Sequence, residues 1–212
     1  MSGKIRKPGL IAILSSPSGT GKTSICRGLL KRHTDYRFSI SVTTRPRRGK
    51  ERDAVDYHFV SDEKFNSMVR KKEFAEWKHV FGYRYGTPYT EITRALTGCR
   101  VLLCDVDVQG GMSLKGNHKD AVAIFIIPPS LDELRLRLRK RRTDSAEQMK
   151  LRLNKAVAEI GYWKKYDYVV INDTLKDAVE EVDRIISAER FKTIRRNARK
   201  YWNTSQARLL GL

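Results

Sequence analysis

The stretch Leu10-Ile11-Ala12-Ile13-Leu14-Ser15-Ser16-Pro17-Ser18-Gly19-Thr20-Gly21-Lys22-Thr23-Ser24 decides how this chain is read. Its first five residues form a continuous apolar run, the pattern of a strand buried on both faces of a parallel sheet. A Ser/Pro/Gly turn follows, and from Lys22 to about His33 the apolar residues Ile25, Leu29 and Leu30 recur at helical spacing. Strand, glycine-rich turn and helix in this order match G-x-x-x-x-G-K-[ST], with Ser16 at the first glycine. Gly19 and Gly21 let successive backbone N–H groups point inward at a phosphate, and the helix adds its positive N-terminal end. Lys22 can reach the β- and γ-phosphates of a triphosphate, and the Thr23 hydroxyl suits Mg²⁺, a hard cation that prefers oxygen. Ser16, Pro17, Ser18, Gly19, Thr20, Gly21, Lys22, Thr23 and Ser24 are therefore the expected triphosphate site. Asp105, at the end of another apolar run, is expected to hold the metal through water.

Val101 to Asp105, Ala121 to Ile127 and Tyr168 to Ile171 repeat the short apolar run, with helical stretches between or after them. Ser130 with Glu133, and Ser145 with Gln148, read as capping boxes. Asp177 to about Ala188, with Ala178, Val182, Ile185 and Ile186 on one face, reads as the last core helix. Strands alternating with helices predict an α/β fold, a three-layer α/β/α core around a parallel sheet with right-handed crossovers. Between about Ser39 and Leu96 that rhythm breaks. Short β-like pieces (Tyr57 to Val60, Phe74 to Val80), a helix after Ser61, and turn residues Gly49, Gly82, Gly86 and Pro88 predict an inserted subdomain.

At 212 residues the chain can bury one good core. Its 43 Lys and Arg outnumber 24 Asp and Glu, a formal charge of +19 that calls for an anionic partner. Nucleotides, nucleic acids and acidic membranes all satisfy that charge, as does a merely basic surface. No zinc-finger or RNP-type pattern supports specific nucleic-acid binding, and no apolar run approaches the ~20 residues that span a bilayer. Cys26, Cys99 and Cys104 show no C-x-x-C spacing, which argues against a disulfide framework and for a reducing cytoplasm. Leu10 to Leu14 is too short for a signal h-region and runs straight into the glycine-rich loop, so the expected location is cytoplasmic.

A second site lies in the insertion. Ser41-Val42-Thr43-Thr44-Arg45-Pro46-Arg47-Arg48 concentrates donors and positive charge near Asp56-Tyr57. Arg45 and Arg48 offer planar forks for phosphate oxygens, and Tyr57 adds a hydroxyl. Phe74-Ala75-Glu76-Trp77 sets a carboxylate in an apolar strand, where it needs donors. The N1–H and N2–H₂ edge of guanine supplies two in one plane. Tyr85-Gly86-Thr87 adds a ring for stacking and a hydroxyl for O6.

These motifs, in this order from about Gly9 to Ala188, resemble the guanylate kinase family. Asp105-Val106-Asp107-x-Gln109-Gly110, Pro128-Pro129-Ser130 and Ile171-Asn172-Asp173 extend the likeness. The resemblance implies Mg²⁺-dependent transfer of the γ-phosphoryl group of ATP to GMP or dGMP by a P-loop enzyme. It implies a core over 1–38, 97–134 and 155–190, a GMP-binding subdomain over 39–96, a helical lid over 135–154, and a basic extension over 191–212. It assigns Ser41, Arg45, Arg48, Tyr57, Glu76, Tyr85, Gly86, Thr87 and Asp107 to GMP. Arg137, Arg141 and Arg152 become the lid arginines that join Lys22 in catalysis, and Asn172 is placed near the adenine of ATP. The partners implied are ATP and GMP, in a monomer or homodimer. Two departures stand out: Ser16 replaces the usual Gly, and Arg48-Gly49-Lys50-Glu51 shifts a glycine of the family pattern. The competing reading is a guanylate-kinase-like interaction domain without catalysis, which the intact Gly21-Lys22-Thr23 disfavours.

Overall fold

The computed structural model describes residues 9–80, 82–98, 100–140 and 146–192. Five strands make one parallel sheet in the order β2-β7-β1-β8-β9. These are β1 (Leu10–Ser15), β2 (Tyr36–Phe38), β7 (Val101–Asp105), β8 (Val122–Ile127) and β9 (Tyr168–Ile171). The central β1 is buried at all six positions, which is why its first five residues are continuously apolar rather than alternating.

Helices cover both faces. On one, α1 (Lys22–Arg32) and α7 (Leu175–Glu189) bring Ile25, Leu29, Val182 and Ile186 against Leu10, Ala12 and Leu14. On the other, α3 (Tyr89–Thr97) and α4 (Val108–Asn117) bring Ile92, Ala95 and Leu114 against Ile11, Ile13 and Leu102. The expected three-layer core is present. The last helix starts two residues before its expected Asp177, because Thr174 caps it by accepting from the Asp177 N–H.

A second sheet, ordered β4-β3-β6-β5, stands apart from the first. It contains β3 (Val42–Thr43), β4 (His58–Phe59), β5 (Phe74–Val80) and β6 (Tyr83–Pro88). Helix α2 (Asp62–Arg70), capped by Ser61, seals it by packing Phe65 on Phe74 and Val42. The separate sheet ends at Pro88. The following helix α3, inside the 39–96 span expected for the subdomain, packs in the main core through Ile92 and Ala95.

The pairing of β5 with β6 shifts register between Phe74 and Glu76. This extra residue breaks strict alternation: Phe74 enters the subdomain core, Ala75 joins the main core, and Glu76 turns to the space between the sheets.

Helices α5 (Leu131–Lys140) and α6 (Ala146–Ile160) carry Leu134, Leu138 and Ala156, which pack together. Ser130 caps α5 through the Glu133 N–H at 3.1 Å, but the reciprocal half of the box is replaced. The Glu133 carboxylate accepts from Arg137 Nε at 2.7 Å instead. Ser145 of the expected box and the side chain of Gln148 lie outside the described residues, as do Cys99 and the extension from residue 193.

Candidate active site

A cleft of about 310 Å³ opens between the two sheets, and both motifs face into it. One wall is the turn from Ser16 to Ser24 at the C-terminal end of β1, together with Asp105, Val106 and Asp107 after β7. The opposite wall is Ser41, Tyr57, Glu76 and Tyr85 from the insertion.

In the turn, Gly19 and Gly21 adopt φ of +94° and +92°, left-handed values that a side chain would strain. Ser16 adopts an ordinary φ, so its Cβ costs the backbone nothing, and its hydroxyl donates to Pro17 O at 3.0 Å. The replacement of the usual glycine therefore leaves the loop intact.

Lys22 Nζ lies 2.8 Å from Asp105 Oδ1 and donates to Val106 O at 2.7 Å. The Thr23 hydroxyl donates to Asp105 Oδ2 at 2.6 Å. Lysine, hydroxyl and carboxylate expected around a metal–triphosphate thus meet at the end of β7.

Asn172, expected beside adenine, sits beneath the loop. It is 4% exposed, and its Nδ2 donates to Thr20 O at 2.5 Å. A Cβ on Gly21 would stand 2.6 Å from that same nitrogen. Asn172 is a brace for the turn because the short β9 ends directly under it.

Across the cleft Glu76 is 7% exposed, and its Oε1 accepts from the Thr87 hydroxyl at 2.7 Å. Burial holds its carboxyl above the usual range; the Thr87 hydroxyl works against this, and nearby Asp107 adds to it. Asp107 caps α4 by accepting from the Gly110 N–H at 2.8 Å. Tyr57 is pushed up to about 12 by burial and by Asp105, so it stays a hydroxyl donor.

Gly86, expected to touch substrate, serves packing: a Cβ there would lie 2.7 Å from the Phe74 ring. Thr87 reaches the cleft only through Glu76, and neither Thr87 nor Gly86 lines it.

Arg45 is buried and committed to the protein. Its Nε donates to the Tyr85 hydroxyl at 3.1 Å, and its two terminal nitrogens donate to Pro46 O and to Glu51 Oε1, each at 2.7 Å. Glu51 also accepts from the Arg48 N–H at 2.8 Å, closing the turn around Gly49. Burial alone would raise the Glu51 carboxyl, but Arg45 and that N–H hold it below the usual range. Arg48 is exposed and outside the cleft lining.

Arg137 donates to Glu133, to Asn172 O at 3.0 Å and to Asp173 O at 3.3 Å, which ties α5 to the brace under the loop. Arg141 lies outside the described residues, and so does the side chain of Arg152, whose backbone belongs to α6.

Sequence reasoning missed Lys78, Val80, Gly110, Lys155 and Glu159, all of which line the cleft. The two-residue spacing from Glu76 could have pointed to Lys78 and Val80. Lys155 and Glu159, 3.6 Å apart on α6, carried no such signal.

The family model described as guanylate kinase matches residues 9–189. A guanylate kinase of Myxococcus xanthus is 46% identical over 186 residues, covering 87% of this chain and 89% of its own. One from Syntrophotalea carbinolica is 48% identical, covering 87% and 88%. The crystal structure of guanylate kinase from Anaplasma phagocytophilum superposes with a TM-score of 0.76 at 32% identity, covering 91% of this chain and 92% of its own. With this fold, a cleft lined by both motifs and this extent of likeness, the chain belongs to the guanylate kinase family.

Proposed function

We propose that the cleft transfers the γ-phosphoryl group of ATP to GMP, giving ADP and GDP. The observation that carries this is the shared cleft: the phosphate loop and Glu76 line the same space from opposite sides. A phosphate already serves as acceptor, so no general base is needed to make the nucleophile. The work is positioning and charge neutralisation for in-line transfer.

Lys22, freed from Asp105 by the incoming triphosphate, takes the β- and γ-phosphates, and the loop N–H groups take the rest. Arg137, Arg141 and Arg152 supply further positive charge from the lid side. Ser41, Arg45, Arg48, Tyr57 and Tyr85 orient the acceptor, with the Arg45 fork preset by Glu51. Glu76, held by Thr87 and neighboured by Asp107, accepts from the guanine edge.

Thr23 Oγ1 and Asp105 Oδ2, hard oxygens 2.6 Å apart at the loop, fit Mg²⁺, the hydroxyl directly and the carboxylate through water. When bound, the ion would draw off charge on the β- and γ-phosphates. Among the described residues Cys26 and Cys104 are free, buried thiols, and no helix is long and apolar enough to cross a membrane. Both features support a cytoplasmic enzyme.

ADP production from ATP against a panel of nucleoside monophosphates tests the reading. GMP should far outpace AMP, because adenine offers a lone pair where Glu76 needs a donor, a mismatch that can cost roughly 10⁴-fold. Comparable rates with AMP would overturn it.

A further inference from the structure

The strand that carries Glu76 also carries Lys78, which the mechanism so far leaves unused. β5 presents Glu76, Lys78 and Val80 to the cleft at every second residue, as pleating requires. Across the ladder Lys78 pairs with Tyr85, next to the Glu76–Thr87 pair. The Tyr85 hydroxyl in turn receives Arg45 Nε. Lys78 therefore stands between the carboxylate that reads the base and the Tyr85–Arg45 pair at the acceptor phosphate. One two-residue step along a strand is about 6.6 Å, and the four-carbon stem of lysine adds reach.

Other cations around the cleft have strong acceptors of their own. Three Arg45 N–H groups go to Tyr85, Pro46 and Glu51. Lys22 is held by Asp105, and Lys155 of α6 lies 3.6 Å from Glu159. Lys78 enters no ion pair among the described residues. Its electrostatic neighbour is Glu76, whose Oε1 is already bonded to Thr87.

We propose that Lys78 is a phosphate-contacting residue for the acceptor, its ammonium meeting the phosphate of the GMP whose base lies at Glu76. This rests on the reading of the cleft as the GMP site. Calorimetric binding of GMP and of guanosine to the wild-type chain, Lys78→Met and Lys78→Arg, at low and moderate salt, tests it. Lys78→Met should weaken GMP about tenfold, the loss of one charge-assisted contact, while guanosine stays within about twofold. The GMP salt dependence should flatten in Lys78→Met, and Lys78→Arg should recover most of the affinity. Equal losses for GMP and guanosine would make Lys78 part of the base pocket and overturn the proposal, as would no loss at all. A wild-type chain that binds AMP as well as GMP would overturn the underlying reading of the cleft, which separates the two failures.

Discussion

Gly110→Ala is the substitution that most directly tests how Glu76 is held. An added Cβ would stand 3.0 Å from Glu76 Oε2 and 3.1 Å from Asp107 Oδ1. Neither carboxylate is free to swing away. Glu76 is buried with its other oxygen on Thr87, and Asp107 is tied to the Gly110 N–H as the cap of α4. The methyl group must therefore push the Glu76 carboxylate a few tenths of an ångström from its place, and with it the acceptor proposed for the guanine edge. A hydrogen bond to a charged group contributes ~1.5–3 kcal/mol, so complete loss of one would cost roughly 10- to 150-fold in affinity. A displaced rather than broken bond puts the expected loss of GMP affinity near the lower bound, about tenfold.

Stability should move the other way or not at all. Alanine in a helix is favoured over glycine by about 0.8–1 kcal/mol, which offsets the crowding. The assay is calorimetric GMP binding alongside thermal unfolding. Weaker GMP binding with an unchanged or raised midpoint is the predicted pair. GMP affinity within about twofold of wild type would refute the argument that this glycine sets the position of Glu76.

Gly111→Ala, one residue on, should behave oppositely. A Cβ there would fall 2.3 Å from Ser15 Oγ and 2.7 Å from the Tyr166 hydroxyl, so overpacking should cost ~1–3 kcal/mol and lower the unfolding midpoint. Lys22→Ala should cut ADP production by about 10²-fold or more while GMP binding, read by calorimetry, survives. Guanosine binding should weaken as pH falls toward the raised Glu76 pKa, beginning at higher pH than for a free glutamate near ~4.3. In the ligand-free protein the folded state holds that proton more tightly than the unfolded. Stability from protonated Glu76 is thus present below the unfolded pKa and lost as pH rises through the folded one. Glu76→Gln should flatten both profiles, in binding titrations and in unfolding midpoints against pH.

The centre of the main sheet was legible because β1, β7 and β8 are buried on both faces and so read as continuous apolar runs, and the edge strand β9 reads as one although Val169 and Ile171 stay exposed. The expected strands at Val101 to Asp105 and Tyr168 to Ile171 match β7 and β9, and the run from Ala121 becomes β8 one residue later. β2 and β3 were not legible. Tyr36–Phe38 and Val42–Thr43 are three and two residues long, and they are strands because β7 lies alongside the first and β4 and β6 flank the second.

The loop chemistry from Ser16 to Ser24 was written in the sequence, since phosphate binding by backbone N–H groups needs glycines and a following helix in fixed order. Tertiary structure alone decided where the remaining groups point. A register shift at Ala75 turns Glu76 and Lys78 into the cleft, the end of β9 places Asn172 under the loop, and Glu51 folds back to claim Arg45. The physical reason is that residue type and spacing specify local backbone geometry and hydrogen-bonding capacity. Which partner a buried polar group finds depends on elements far apart in the chain.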